Sequence, residues 1–147
     1  MRAVSDGASS PIVLVAVDGS PSSLRAGAYA VGLAQRQGAR LVCLYVHTSS
    51  PVLPGASPVV DVAIRETKET IAADLRRLVT EGAQHAGLDA VFIERHGSPY
   101  TEIVRAATEL RADSIVVGAS TQAGHRVLGA VGARLVRRAT WPVTVVP

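Results

Sequence analysis

Short, continuously apolar runs alternate along the chain with segments whose apolar residues recur at helical spacing. Pro11-Ile-Val-Leu-Val-Ala-Val17 is the first such run, the pattern of a strand covered on both faces. It ends in Asp18-Gly-Ser-Pro-Ser-Ser23, a cluster of turn and capping residues. A helix is expected next, with Leu24, Ala28, Val31 and Leu33 or Ala34 on its inner face and a stop near Gly38. Leu41–Val46 reads as a second buried strand, followed by an irregular Pro/Ser/Gly loop from His47 to Pro58. Ile64, Ile71, Leu75, Leu78 and Val79 predict a long helix from about Val59 to Ala86, stopped by Gly87. Asp89–Arg95 is a third strand, and Ser98-Pro99 supplies an N-cap and first residue for a helix carrying Ile103, Ala106, Ala107 and Leu110. Ser114–Gly118 is a fourth strand. A polar loop from Ala119 to His125, a helix near Gly129 to Ala139 and a last strand, Pro142–Val146, complete the chain.

This β-α-β-α-β-α-β-α-β order predicts an α/β fold, a parallel sheet with right-handed crossovers and helices on both faces. No composition break divides it, so residues 11–147 are expected to form one domain behind a flexible tail over residues 1–10. In such sheets ligands bind beyond the carboxyl ends of the strands, at the point where strand order reverses. Those ends carry Asp18, His47, His96 and the loop after Gly118.

Composition narrows the classes of function. With 147 residues, 48% hydrophobic and 18% charged, the chain is globular. It has no apolar run of the roughly 18–20 residues a membrane span needs, and Met1–Ser10 lacks the apolar core of a secretory signal. A cytoplasmic protein with no membrane partner is therefore expected. Cys43 is the single cysteine and sits inside a buried run, where it reads as an inert apolar residue. The pI is about 9.6, yet the fourteen arginines and one lysine are spread along the chain and there are only five aromatic residues. Interleaved basic and aromatic residues are missing, which argues against nucleic acid.

Gly118-Ala-Ser-Thr-Gln-Ala-Gly-His-Arg-Val-Leu-Gly-Ala130 is the most suggestive stretch. Its glycines let backbone N–H groups approach a ligand, and a helix N-terminus adds partial positive charge for an anion. Ser120, Thr121, His125 and Arg126 add side-chain donors. The same composition also suits an ordinary strand-to-helix connection. It is neither a Walker A loop, which needs a Gly-Lys-Ser/Thr end, nor the dinucleotide fingerprint, which follows the first strand. No machinery for phosphoryl transfer is visible, and no catalytic residue is assigned. Asp18 fits two roles equally, accepting hydrogen bonds from a nucleoside or capping the first helix. His47, His96 and His125 each follow a strand and with Asp18 could form an imidazole–carboxylate metal site, but no short ligand spacing supports one, so no metal residue is assigned. A Gly-x-Ser-x-Gly elbow is absent, which argues against a serine hydrolase. The last strand is a candidate sheet edge, and pairing through Val143–Val146 would give a homodimer.

Together Ile12-Val-Leu-Val-Ala-Val-Asp-Gly-Ser20, Leu41–His47, His96-Gly-Ser-Pro99, Ala112–Gly118 and Pro142–Val146 resemble the universal stress protein family, over nearly the whole chain. The resemblance implies a Rossmann-like, five-stranded parallel sheet of order 3-2-1-4-5 and a dimer through the last strand. It also implies a stress-linked regulator that in many members binds ATP or another adenine nucleotide, with Mg²⁺. Carried over, Asp18 lies near adenine and ribose, Ala16 and Leu41 line the adenine pocket, and Val117 and Gly118 end the fourth strand. Gly129 is the last glycine of the family's G-x2-G-x9-G-[ST] motif, with Ala130 in the hydroxyl position and Val131 after it. The chain departs from that motif: its second glycine is missing, the loop is two residues shorter, and Ala130 carries no hydroxyl. One lost hydrogen bond to a charged group costs about 1.5–3 kcal/mol. Ser120, Thr121, Gly124 or His125 are the candidates to replace it. The expected function is adenine-nucleotide binding in a stress regulator. The alternatives are a dimeric interaction module that binds no nucleotide and, in third place, a slow nucleotide hydrolase.

Overall fold

The structure is a computed structural model that describes residues 9–48, 55, 57–119 and 129–147. Nine elements follow one another in it: β1 (Ile12–Val17), α1 (Pro21–Gln37), β2 (Arg40–His47), α2 (Pro58–Ala86), β3 (Ala90–His96), α3 (Pro99–Leu110), β4 (Ser114–Gly118), α4 (Ala130–Arg138) and β5 (Val143–Val146). The strands form one sheet of order β3-β2-β1-β4-β5, and every neighbouring pair is parallel. The continuous apolar runs thus do what their pattern requires, forming strands with a helix layer on each side. Val13, Val15, Leu41 and Cys43 pack under α1 and α2, whereas Leu14, Val42, Leu44 and Ile115 pack under α3 and α4.

The helix boundaries follow local chemistry. Ser20 and Ser57 are N-caps whose side chains accept from the backbone N–H of Ser23 and Val59, with proline in the first turn of each helix. Gly38 and Gly87 close the same two helices in the left-handed conformation that glycine adopts without a Cβ penalty. Ser98 occupies the N-cap position of α3, as its sequence predicts, but its side chain makes no capping bond.

The inner face of α1 differs from the expected one. Leu24 is 43% exposed and Ala28 is exposed too, while Ser22, Ser23, Ala26, Ala30 and Ala34 are buried. The reason is distance. A stripe of small side chains lets the α1 backbone come down onto β1 and β4, closer than leucines would allow, and the larger residues rotate outward. In α2, Leu75 is buried as expected, but Ile64 is 40% and Leu78 53% exposed. At 29 residues α2 is about 43 Å long, against about 26 Å for the eight-residue β2, so its first turns, with Ile64, have no sheet beneath them. Leu78 instead faces outward on a turn whose other side, Leu75 and Val79, packs on the core. Across the sheet, Ile103, Ala106 and Ala107 of α3 are buried as their spacing predicts.

At Gly118 the approach of α1 is closest. A Cβ built there would lie 2.6 Å from the Ser22 carbonyl carbon and 2.7 Å from the Ser23 nitrogen, both backbone atoms that cannot rotate away. Gly118→Ala is expected to lower stability by about 3 kcal/mol, as overpacking against main chain does. The control is Gly82→Ala in α2, where a Cβ meets nothing within 4 Å. That change is expected to raise stability by about 0.5–1 kcal/mol through helix propensity. Urea unfolding of the two variants checks both signs.

Candidate functional site

The carboxyl ends of β1, β4, β2 and β3 meet along one edge of the sheet. Strand order reverses at β1, which pairs with β2 on one side and β4 on the other. Beyond the ends of β1 and β4 lie Asp18 and the Gly118-Ala119 peptide, whose Ala119 N–H donates to the Val146 carbonyl. Because each helix runs back antiparallel to the strands, all four helix N-termini point to this edge with their partial positive charge, α1 and α2 capped by serine side chains and α3 and α4 without a side-chain cap.

Asp18 folds into its own turn. Its Oδ1 accepts from the Ser20 N–H at 2.9 Å, its N–H donates to Ser23 Oγ at 3.2 Å, and the Ser23 hydroxyl donates to the Ser20 carbonyl at 2.9 Å. Gly19 sustains the turn at φ +86°, and Ile71 of α2 presses against it from above. Burial pushes the Asp18 carboxyl up, but the hydrogen bonds from Ser20, Ser23 and its own backbone outweigh it and leave the pKa below the ordinary 3.8. Asp18 therefore stays ionised and does cap the turn into α1.

On the β2–β3 side, the strand register sets His47 directly beside His96, and the two rings stack with centroids 4.6 Å apart and planes 17° from parallel. Tyr45 meets His47 edge-on at 4.7 Å. Glu94 lies 3.8 Å from His47 Nε2 and 3.4 Å from Arg76 of α2, whose guanidinium also covers the Phe92 ring. Burial, together with the negative charges of Asp18 and Glu94, raises the Tyr45 hydroxyl above its ordinary value and keeps it protonated. Lys68 donates to the Thr48 carbonyl, tying α2 to the end of β2. Two of the three histidines expected at this edge thus meet, and His125 lies outside the described residues. Among the described residues no three His, Cys, Asp or Glu side chains are grouped to hold a metal ion.

The remaining expected residues fall into four groups. Val117, Gly118, Gly129, Ala130 and Val131 frame the end of β4 and the first turn of α4, where Gly129 is an N-cap with no side-chain bond. Ala16 is half-buried on the β1 face beneath α3 and α4. Leu41 stands elsewhere. It pairs with Val13, four register positions before Tyr45, and is 1% exposed in the core under α1 and α2. The structure does not bring it to the edge, because position along the strand rather than apolar character decides what reaches a strand end. Ser120, Thr121, Gly124 and His125 lie outside the described residues. Cys43 is buried and its thiol is pushed up to about 12, which makes it the inert core residue its run predicts. Tyr45, Glu94 and Arg76 were not singled out by sequence, and Ile71 only as part of the α2 stripe. For Tyr45 and Glu94 the signal was present: each lies two residues before a histidine and so on the same strand face.

Comparison with known proteins identifies the fold. The model of the universal stress protein family matches residues 11–147. Universal stress protein YxiE of Bacillus subtilis is 32% identical over 143 residues, covering 91% of this chain and 97% of its own. Universal stress protein UspA from Lactobacillus plantarum superposes with a TM-score of 0.75 at 28% identity, covering 96% of this chain and all of its own. A universal stress protein solved in complex with cAMP superposes with a TM-score of 0.68 at 27% identity, over 95% of this chain and 98% of that one. No helix among the described residues is long and apolar enough to cross a membrane.

Asp18→Ala removes the acceptor of the turn into α1 and is expected to cost about 1 kcal/mol at pH 7. The folded pKa lies below the unfolded one, so this contribution is full above pH 3.8 and is lost as the pH falls through the folded value. Thermal unfolding of wild type and variant should therefore converge toward acid pH. A gap that stays constant down to the acid transition would show that the Asp18 charge is not what holds the turn.

Proposed function

Because the chain belongs to the universal stress protein family, we propose that it binds an adenine nucleotide, ATP or a relative with fewer phosphates, at the carboxyl edge between β1 and β4. The observation that carries this reading is the pairing of two unlike groups across the switch point. On one side stands the ionised Asp18, its Oδ1 engaged in the turn. On the other stands the first turn of α4, whose Gly129 N-cap has no side chain to satisfy the N–H groups behind it. A carboxylate suits a ribose hydroxyl or an adenine amine. An uncapped helix N-terminus suits a phosphate. Val117 and Gly118 would floor the cleft and Ala16 would leave room beside it, while Gly129, Ala130 and Val131 would offer backbone donors. Bound Mg²⁺ would offset phosphate charge. The relative solved with cAMP supports the ligand class.

The missing hydroxyl at Ala130 supports a second reading, in which the cleft stays empty and the chain works as a regulatory interaction module. Both readings include a two-fold dimer through the outer edge of β5, which closes a pairing template. Light scattering is then expected to give twice the 15.2 kDa chain mass.

Calorimetric titration of nucleotide-stripped protein with ATP, ADP and AMP, with and without Mg²⁺, separates the two. Binding is expected, weakened about tenfold in Asp18→Ala and Gly129→Val, roughly the value of one charged hydrogen bond. No heat, together with no thermal shift, would refute the nucleotide reading and leave the interaction module.

A further inference from the structure

The net charge of +3 is concentrated on one short face. From Ala130 to Trp141 the chain carries Arg134, Arg137 and Arg138 and no acidic residue, and the remaining twelve basic residues balance the twelve acidic ones. Among the described residues none of the three makes an ion pair. The carboxylates on neighbouring α3 are already taken, Glu102 by Arg105 at 2.9 Å and Glu109 by Arg95 at 2.8 Å.

What holds the three guanidiniums is aromatic and backbone contact. Arg134 lies 3.7 Å over the Tyr100 ring, Arg138 lies 5.9 Å from the Trp141 centroid, and Arg137 Nε donates to the Ala133 carbonyl at 3.3 Å. A guanidinium held by a ring spends no hydrogen bond on it, so its N–H groups remain to grip a carboxylate with two parallel bonds. Arg137 and Arg138 also complement the negative end of the α4 dipole, but that interaction leaves their charge unneutralised. Val136, two residues beyond Arg134 and so on the opposite flank of α4, is 48% exposed. Arginine, tryptophan and tyrosine held in place before binding are the residues that dominate protein interfaces.

We propose that the face of α4 that carries Arg134, Arg137 and Arg138, with Tyr100 and Trp141 beside it, docks an acidic segment of another protein, its carboxylates meeting the three guanidiniums. Charge complementarity favours this occupant. Nucleic acid fits less well, because Arg134 already occupies a face of the Tyr100 ring and three phosphate contacts give little affinity at physiological salt. The proposal is independent of the nucleotide site.

Trp141 is the only tryptophan, so its emission reports on this face alone. The full chain is titrated with a labelled peptide of alternating Glu and Leu, reading anisotropy and Trp141 emission, with a Gln/Leu peptide, oligothymidylate and phosphatidylglycerol vesicles as separate arms. The expected result is saturable binding of the Glu/Leu peptide that moves Trp141 emission and weakens with salt. It should weaken at least tenfold in the exposed double variant Arg137→Glu/Arg138→Glu, and less in Arg134→Gln, with circular dichroism unchanged in both. Binding that ignores the double variant, emission that does not move at saturation, equal binding of the Gln/Leu peptide, or tighter binding of oligothymidylate or vesicles would each overturn the proposal. If the double variant proves unfolded, Arg137→Gln/Arg138→Gln gives the same comparison without charge reversal.

Discussion

The approach of α1 to the end of β4 is the contact on which the rest of the molecule depends. The backbone at Ser22 and Ser23 lies so near Gly118 that no side chain fits between. The stripe Ser22, Ser23, Ala26, Ala30 and Ala34 keeps the helix at that depth along its length. With α1 so low, its capping turn, and with it Asp18, is carried to the end of β4. The carboxyl edge is thereby defined by a backbone-to-backbone distance, and the polar groups around it inherit their positions from that packing. The family's motif glycine at position 118 is required by the fold whether or not a ligand is present.

Most of the architecture was legible in sequence because parallel strands announce themselves as unbroken apolar runs, and because Ser20, Gly38, Gly87 and Pro99 mark helix ends through backbone chemistry that is local. Strand order came from family likeness rather than from any residue, since periodicity says which segments are strands and not which are neighbours. The helix faces were less readable. Leucine outranks alanine in any hydrophobic count, so Leu24 was expected inside. The deciding quantity, the separation of α1 from the sheet, is a property of two distant segments. Leu41 failed for a related reason, as its place at the beginning of β2 is visible only once register is known.

The site shows the same division. Asp18 was read as having two compatible uses, and one of them, the cap, is present. His47 and His96 were expected at one edge, but their stacking depends on equal positions along adjacent strands, which sequence spacing does not reveal. Glu94, Arg76 and Tyr45 join them by way of strand parity and the overlying α2. The edge therefore has two unlike halves, one at β1–β4 that holds the Asp18 carboxylate and the first turn of α4, and an aromatic, ion-paired half at β2–β3. Tyr45 lies between them, sensing the charge of both Asp18 and Glu94.

The position of β1 at the centre of the sheet has a consequence for the newborn chain. Its first residue is tied to β4 by a reciprocal pair, the Ile12 N–H to Asp113 Oδ2 at 2.7 Å and the Asp113 N–H to the Ile12 carbonyl at 2.9 Å, across 101 residues of sequence. On the ribosome β1, α1, β2, α2 and β3 emerge first and can assemble among themselves, while the β4 side of Ile-Val-Leu-Val-Ala-Val has no strand to pair with. At a synthesis rate of about 5–20 residues per second that edge stays open for several seconds. The most apolar strand of the protein is thus the one that waits longest for its second neighbour, and it is there that a chaperone or a neighbouring nascent chain would find its hold.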